Sequence, residues 1–258
     1  MHLLDSERGR YPAFDIPMML VPASIDNNLP SSELSIGCDT ALNSAVTALD
    51  AIKMSASASK RCFVVETMGR RCGYLALMSG LASGAERVYL HEEGITLAGL
   101  QQDVEEMIRA FRGGKRLFLT IRNERANDLY TTDFLARLFE EEGQSLFDVR
   151  QAVLGHVQQG GAPTPFDRIL ATRLVKHAVD GLAGQLAAED TAARSVGLVD
   201  GVVTFAPVSR MPEQIDAENR RPREQWWLDL RPALAAVAER SPRSEEPPIP
   251  VLRAEGPA

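Results

Sequence analysis

The stretch PMMLV at residues 17–21 runs directly into the polar loop PASIDNN at residues 22–28. An apolar run that ends in a polar loop is typical of a buried strand whose carboxyl end lies at the ligand-binding edge of a parallel sheet. The loop carries one carboxylate, Asp26, beside two amides. That carboxylate is a candidate general base toward a hydroxyl group, and an Asx turn or a helix cap is the alternative interpretation.

Strand-length apolar runs and segments of helical period alternate along the rest of the chain. The apolar runs are at residues 62–65, 87–90, 116–121 and 152–157. The helical segments are at residues 40–55, 73–83, 97–111, 132–142 and 166–182. This alternation predicts an α/β fold, with a mostly parallel sheet covered by helices on both faces.

Local signals predict several boundaries. Asp39 is the expected N-cap of the first of these helices, and Thr96 caps the third, which ends at Gly113-Gly114. The sequence Val199-Asp200-Gly201-Val202 predicts a tight hairpin, because Asp-Gly tolerates the positive φ angles that such a turn requires.

Composition limits the function classes. The 258 residues are 45% hydrophobic and 24% charged, and the formal net charge of −7 argues against a general nucleic-acid binder. No stretch approaches the ~20 apolar residues of a membrane helix, and no secretory signal opens the chain, so we expect a cytoplasmic protein without a membrane partner. The expected organisation is one unit over residues 1–240 and a disordered tail over residues 241–258.

Two further loops carry unusual residues. Residues 66–74, ETMGRRCGY, open a helix with two glycines and two arginines, which predicts an anion site. Residues 153–168 place His156, two glutamines and a double glycine between a strand and a helix, which predicts close backbone approach to a ligand. Neither loop is a complete nucleotide motif of the GxxxxGK[ST] or GxGxxG type.

Together and in this order, the three loops resemble those of phosphofructokinases, the enzymes that phosphorylate fructose 6-phosphate. The resemblance runs from Pro12 to Pro232 and is closest to the carboxyl-terminal half of the doubled eukaryotic-type enzyme. It implies a phosphofructokinase-type α/β fold that is truncated at the N-terminus. The matching motifs are DTALN (39–43), KMSA (53–56), RNE (122–124), YTTDF (130–134), HVQQGG (156–161) and EQWW (224–227).

The resemblance also implies roles for individual residues. Asp26 matches the base that takes the proton of the sugar hydroxyl, and Glu124 matches a residue that accepts sugar hydroxyls. Arginines and a histidine match positions that meet phosphates, some of them from a neighbouring subunit. The full set that the resemblance assigns to substrate or effector sugar phosphate is Ser24, Ile25, Asn27, Asn28, Arg61, Met68, Gly69, Arg70, Glu124, Arg150, His156, Val157, Gln158, Gln159 and Arg220.

At four positions, the residues are of two kinds: two match the regulatory half of family members, and two match the catalytic half. Gln159 stands where catalytic halves carry arginine, and Asn28 stands where they carry aspartate. Both residues are those of the regulatory half, which binds fructose 2,6-bisphosphate without turnover. Asp26 and Arg70, in contrast, are of the catalytic kind.

The resemblance implies ATP and Mg²⁺ as cofactors. In the family, the glycine-rich phosphate loop, the Arg-Cys segment and the Gly-Asp-Gly-Ser segment precede the counterpart of residues 22–26, before which this chain has about twenty residues. We therefore expect the main ATP- and Mg²⁺-binding segments, with any metal ligand, to be absent from this chain. The expected partners are fructose 6-phosphate or fructose 2,6-bisphosphate, and other copies of the chain or the remainder of a larger subunit.

Three hypotheses follow for the function. The first is a 6-phosphofructokinase in which Asp26 is the base and another segment supplies ATP. The second is a regulatory sugar-bisphosphate site without turnover. The third is a decayed fragment that folds poorly, because a sheet without its front strands has unpaired edges.

Overall fold

The computed structural model describes residues 2–55 and 60–239, and the predicted tail at residues 241–258 lies outside them. No helix in these ranges combines the length and the apolar character that crossing a membrane requires. The strands are β1 (Met18–Leu20), β2 (Arg61–Thr67), β3 (Arg87–Tyr89), β4 (Leu117–Asn123), β5 (Asp148–Val153), β6 (Ala193–Val199), β7 (Val202–Pro207), β8 (Ile215–Asp216) and β9 (Arg221–Pro222). The helices are α1 (His2–Ser6), α2 (Cys38–Ser55), α3 (Tyr74–Ser83), α4 (Leu97–Arg112), α5 (Thr132–Glu142), α6 (Pro165–Ala187), α7 (Met211–Gln214) and α8 (Arg231–Glu239).

Four parallel strands form the larger sheet, in the order β3-β4-β2-β5. The register pairs Arg61 with Leu117 at one end of β2 and β4, and Thr67 with Asn123 at the other. The carboxyl ends of β2, β4 and β5 therefore meet at one edge, and the loops that follow them are neighbours in space.

Side chains of β2 alternate between two cores, one on each face of this sheet. Phe63 and Val65 belong to the core that includes residues of α2 and α3, whereas Cys62 and Val64 belong to the core that includes residues of α4 and α5. Alternation with a period of two is what a strand buried on both faces shows. The predicted α/β class, with helices on both faces, is confirmed.

The remaining strands do not join this sheet. β1 pairs in parallel with β6, which pairs antiparallel with β7, and β8 and β9 form a separate antiparallel pair. The sequence predicted one sheet in which β1 is a member, and that part of the prediction is wrong. An apolar run indicates burial but not its partner, and β1 finds its partner beyond α6, where Leu170 and Leu174 pack with Val196.

The hairpin between β6 and β7 forms as predicted. Val199 pairs with Val202, so that two residues make the turn. Asp200 has φ 51° and Gly201 has φ 75°, which places both residues in the left-handed region that a type I′ turn requires.

The predicted cap of α2 by Asp39 is wrong, because the helix begins one residue earlier and Asp39 lies in its first turn. The cap is Asp167, a buried residue of α6. Its Oδ1 accepts from the backbone N–H of Gly37 at 2.9 Å, and its Oδ2 accepts from the backbone N–H of Thr40 at 2.7 Å. A carboxylate from a distant helix thus satisfies donors that the helix itself cannot satisfy.

The capping is reciprocal. Thr164, the N-cap of α6, accepts from the backbone N–H of Asp167 at 3.2 Å, and its hydroxyl donates to Asp39. Hydrogen bonds therefore join the start of α2 to the start of α6. Because α2 packs on the four-stranded sheet and α6 on the three-stranded sheet, the same bonds connect the two sheets.

Candidate functional site

The loop after β1 is held by Asn27, which has φ 51° and is buried. Its Nδ2 donates to the backbone carbonyl of Glu33 at 2.8 Å, and its Oδ1 accepts from the backbone N–H of Ser35 at 2.8 Å. The amide of Asn27 thus makes the turn-stabilising bonds that were the alternative role for Asp26. The Asp26 carboxylate accepts no hydrogen bond from the residues that the structure describes.

Ser24 joins the two ends of the same loop. Its Oγ donates to Asn28 Oδ1 at 2.7 Å and accepts from the backbone N–H of Asp26 at 3.3 Å. Asn28 Nδ2 donates to the backbone carbonyl of Arg220 at 3.3 Å, which ties the loop to the turn between β8 and β9. Ile25 packs against the hydrophobic core that includes residues of α2 and α3, and this contact fixes the loop to the protein interior.

Asp26 is only 8% exposed, and its Oδ2 lies 3.8 Å from Nε of Arg70, whose side chain is largely exposed. Burial raises the pKa of Asp26, Arg70 acts in the opposite direction, and the Glu124 carboxylate adds to the rise. A carboxylate with a raised pKa is a better proton acceptor near neutral pH than an ordinary one.

The raised pKa predicts the pH dependence of stability. The folded state binds the Asp26 proton more tightly than the unfolded chain does, so stability falls as pH rises from 3.8 through the higher folded pKa. Asp26→Asn has no charge to bury, and we expect it to unfold at a higher urea concentration than wild type near pH 7 and to lose that advantage in acid. Urea midpoints across this pH range measure the effect, with Asp180→Asn on the exposed face of α6 as control. An advantage that does not change with pH would contradict the prediction.

The turn after β2 requires glycine at position 69. Gly69 has φ 136°, and a Cβ there would lie 2.4 Å from the backbone oxygen of Cys72 and 2.8 Å from Asn123 Nδ2. Arg70 follows with φ 51°, and its backbone N–H donates to Glu124 Oε1 at 2.6 Å. This bond joins the loop after β2 to the loop after β4.

At the start of α3, in the loop that the sequence predicts as an anion site, one backbone donor already has an internal carboxylate as its partner. The backbone N–H of Gly73 donates to both carboxylate oxygens of Glu92, at 3.0 and 3.2 Å. Glu92 also pairs with Arg221 at 3.0 Å and accepts from Gln225 at 2.9 Å. An internal carboxylate therefore satisfies the Gly73 N–H, whereas the Arg70 side chain of the same loop stays exposed.

The third loop begins with a short 3₁₀ turn, Gly155–Gln159. The strand before it, β5, spans Asp148–Val153, so the apolar run at residues 152–157 places this strand four residues too late. Gln158 is 1% exposed, and its Oε1 accepts from the backbone N–H of Met68 at 2.7 Å. Its Nε2 is buried without a hydrogen-bond partner in the described part of the chain. His156, Val157 and Gln159 are exposed. Gln158 therefore joins the loops after β5 and β2.

Packing explains the second glycine of the pair, Gly161. A Cβ on Gly161 would lie 2.2 Å from Ser44 Oγ on α2. The close approach that the sequence predicted therefore occurs against a helix of the same chain, whereas the prediction placed a ligand there.

Arg61 and Arg150 lie away from this edge. Arg61 is the first residue of β2 and donates to the backbone carbonyl of Ser55 at 3.1 Å. Arg150 lies in β5 opposite Phe63, near the amino end of the sheet. The length of β2, roughly 20 Å at ~3.3 Å per residue, separates Arg61 from Thr67. Within one chain, neither arginine joins Asp26 around a common ligand.

Sequence reasoning missed three residues that organise the site. They are Glu92 at the start of α3, Asn123, whose Nδ2 donates to the backbone oxygen of Cys72 at 3.2 Å, and Arg122, which is 2% exposed. For Arg122 there was a signal, because a cation in the apolar strand sequence LFLTIRN needs buried partners. For Glu92 and Asn123 no local pattern indicated the contact.

The described residues hold no cluster of metal-ligating side chains. Residues 2–55 and 60–239 contain no group of three or more His, Cys, Asp and Glu side chains that could hold a metal ion. We therefore assign no step to a metal ion within these residues.

Comparison with known proteins gives consistent matches. The Phosphofructokinase family model matches residues 1–182. Over 243 residues the chain is 43% identical to rabbit (Oryctolagus cuniculus) and 42% identical to human muscle-type ATP-dependent 6-phosphofructokinase, covering 90% of this chain and 31% of each relative. The chain thus spans about a third of the length of these curated relatives.

Solved structures agree with the sequence matches. Phosphofructokinase from Saccharomyces cerevisiae superposes with a TM-score of 0.87 at 33% identity, over 92% of this chain and 33% of that one. A pyrophosphate-dependent phosphofructokinase from Marinobacter aquaeolei superposes with a TM-score of 0.64 at 20% identity, over 91% of this chain and 63% of that one, and this match bears on the fold alone.

Proposed function

Because the chain belongs to the phosphofructokinase family, we propose that the sheet edge beside Asp26 binds a phosphorylated ketohexose and that fructose 6-phosphate is its substrate in the intact enzyme. One observation carries this proposal: the buried Asp26 carboxylate lies 3.8 Å from Nε of Arg70, whose own backbone is bonded to Glu124. A proton acceptor, a cation and a second carboxylate are thus joined at one edge. The relatives are ATP-dependent enzymes, and ATP with Mg²⁺ is the proposed phosphoryl donor.

The side chains suit distinct parts of such a ligand. Arg70, His156 and Arg220 are exposed at the ends of loops and can approach a phosphate. Glu124 uses Oε1 on the Arg70 backbone, and its second oxygen can accept a sugar hydroxyl. Asp26 takes the proton of the attacking hydroxyl onto a carboxylate oxygen, and the phosphoryl donor has to be held by residues other than those described here.

A second candidate is an effector site for fructose 2,6-bisphosphate without turnover. Gln159 supports it, because a neutral amide at an exposed position beside His156 gives the loop one cation fewer. In either role, Arg61 and Arg150 do not contact the sugar phosphate that binds beside Asp26 of their own chain. We propose that they contact the sugar phosphate in another copy, or in the rest of a larger subunit, and that the protein is oligomeric for this reason. We propose a cytoplasmic location for the protein in either role.

Two measurements on the same protein separate these functions. A coupled assay with ATP and fructose 6-phosphate measures turnover, and calorimetric titration with fructose 2,6-bisphosphate measures effector binding. Turnover that Asp26→Asn abolishes would exclude a purely regulatory site. Tight bisphosphate binding without turnover would exclude the enzymatic role, and a lack of binding by either sugar would refute both.

Replacing Gln159 by arginine is expected to tighten the binding of fructose 6-phosphate by about tenfold, because a charge-assisted hydrogen bond to phosphate adds to the existing cations. The gain should shrink as salt screens the new charge. Titration calorimetry at two ionic strengths measures it. The control is Gln101→Arg on the exposed face of α4, which adds the same charge elsewhere. An equal gain in both variants would indicate net charge instead of a local contact.

A further inference from the structure

Arg122 is a buried cation whose hydrogen bonds fix one loop. It lies in β4 and is 2% exposed. Its Nη1 donates to Glu66 Oε2 at 2.9 Å, and this carboxylate is its ion-pair partner. The same carboxylate oxygen accepts from the hydroxyl of Thr132 at the start of α5. The charge is therefore matched within the protein and is not available to a ligand.

The three other hydrogen bonds of Arg122 go to the loop that follows β4, residues 124–130. Nη1 donates to the backbone oxygen of Glu124 at 3.0 Å, Nη2 to that of Asn127 at 2.5 Å, and Nε to that of Tyr130 at 3.0 Å. The planar guanidinium fork has five N–H donors and holds three carbonyl groups and the Glu66 carboxylate at once, whereas a lysine ammonium group has only three donors. The loop is thus closed around one guanidinium group.

This closed loop sets the position of Glu124. Glu124 Oε1 accepts from the backbone N–H of Arg70 at 2.6 Å, and Arg70 is the residue that faces Asp26. A chain of direct contacts therefore runs from a buried guanidinium group to the cation at the candidate site. Arg122 itself makes no hydrogen bond or ion pair with Asp26 or Arg70 in the described part of the chain.

We propose that Arg122 is a positioning residue for the sugar-phosphate site and acts through Glu124. The proposal rests on the proposed function, because positioning matters only if the site binds a sugar phosphate. The guanidinium group fixes the Glu124 backbone, the Glu124 carboxylate fixes the Arg70 backbone, and Arg70 is thereby held beside Asp26.

A readout that needs no ligand is the exchange of two backbone amides in the full chain. The Arg70 amide donates to Glu124, whereas the Met68 amide, two residues away, donates to Gln158. In Arg122→Lys we expect exchange at Arg70 to rise by about tenfold or more while exchange at Met68 changes much less. A general loss of stability would raise both amides alike and would overturn the proposal, as would an unchanged Arg70 amide.

The affinity for fructose 6-phosphate is the second measurement that tests the proposal. We expect Arg122→Lys to weaken fructose 6-phosphate binding by about tenfold in wild type and to have no further effect in a Glu124→Ala background. The control is Arg87→Lys, a partly buried arginine of the same sheet that pairs with Asp103 and Glu106 and is expected to leave binding unchanged.

The outcomes distinguish a failure of the positioning proposal from a failure of the proposed function. An Arg122→Lys effect that persists undiminished in the Glu124→Ala background would overturn the positioning proposal. A wild-type chain that binds neither fructose 6-phosphate nor fructose 2,6-bisphosphate would instead refute the proposed function, and the exchange ratio of the two amides would still decide the geometry.

Discussion

Replacing Asp167 by alanine is expected to lower the free energy of unfolding by on the order of 3 kcal/mol, because buried donors at the start of α2 lose their acceptor. Asp167 accepts from the backbone N–H groups of Gly37 and Thr40 and from the Thr40 hydroxyl. The two Thr40 donors are poorly placed to bond to water instead, since Asp167 and Thr40 are buried, whereas Gly37 is half-buried. The midpoint of urea unfolding measures the loss.

Two variants sharpen this test. Asp167→Asn keeps one carbonyl oxygen as acceptor and should lose less stability than Asp167→Ala. Asp180→Ala removes an aspartate from the exposed side of the same helix, where it pairs only with Lys176, and should stay within about 0.5 kcal/mol of wild type. An equal loss from Asp167→Ala and Asp180→Ala would mean that the shared cap does not matter.

Asp26→Asn is expected to lower the kcat for fructose 6-phosphate by about 10²- to 10⁴-fold in any preparation that turns the sugar over with ATP, since an amide does not accept the hydroxyl proton. The side chain keeps its size, so sugar binding should change far less than kcat. The coupled assay gives kcat, and calorimetry gives the dissociation constant.

The same variant is expected to be more stable than wild type near neutral pH, because burial raises the pKa of Asp26. Lower activity together with higher stability is the pattern of a residue kept for chemistry at a cost to the fold. The control is Asp180→Asn, which should change neither quantity. A variant that keeps full turnover would remove Asp26 from the reaction.

Sequence patterns predicted the elements that are determined locally. The helix at residues 132–142 was predicted with its observed bounds, and α4 differs from its prediction by one residue at its end. Both helices have a threonine N-cap whose side chain accepts a backbone N–H three residues on, and both carry a strong apolar stripe. Caps and stripes are properties of neighbouring residues, so a sequence displays them directly.

Contacts between distant segments were not predictable in this way. The partner of β1 and the cap of α2 come from segments more than a hundred residues along the chain, and the carboxylate at the start of α3 comes from 19 residues away. At the candidate site, sequence reasoning identified the loops after β1, β2 and β5, because each follows the end of an apolar strand. It did not distinguish Gln158, which is buried and holds Met68, from Gln159, which is exposed.

The shared cap of α2 and α6 also bears on how the chain folds. Thr40 and Asp167 are 127 residues apart in sequence. During synthesis, the first turn of α2 therefore has no acceptor for its backbone N–H groups until Asp167 has left the ribosome. Contacts of such separation require a large loop to close before they stabilise anything, which slows folding. We expect refolding to include a late step in which α6 docks, and Asp167→Ala to slow that step.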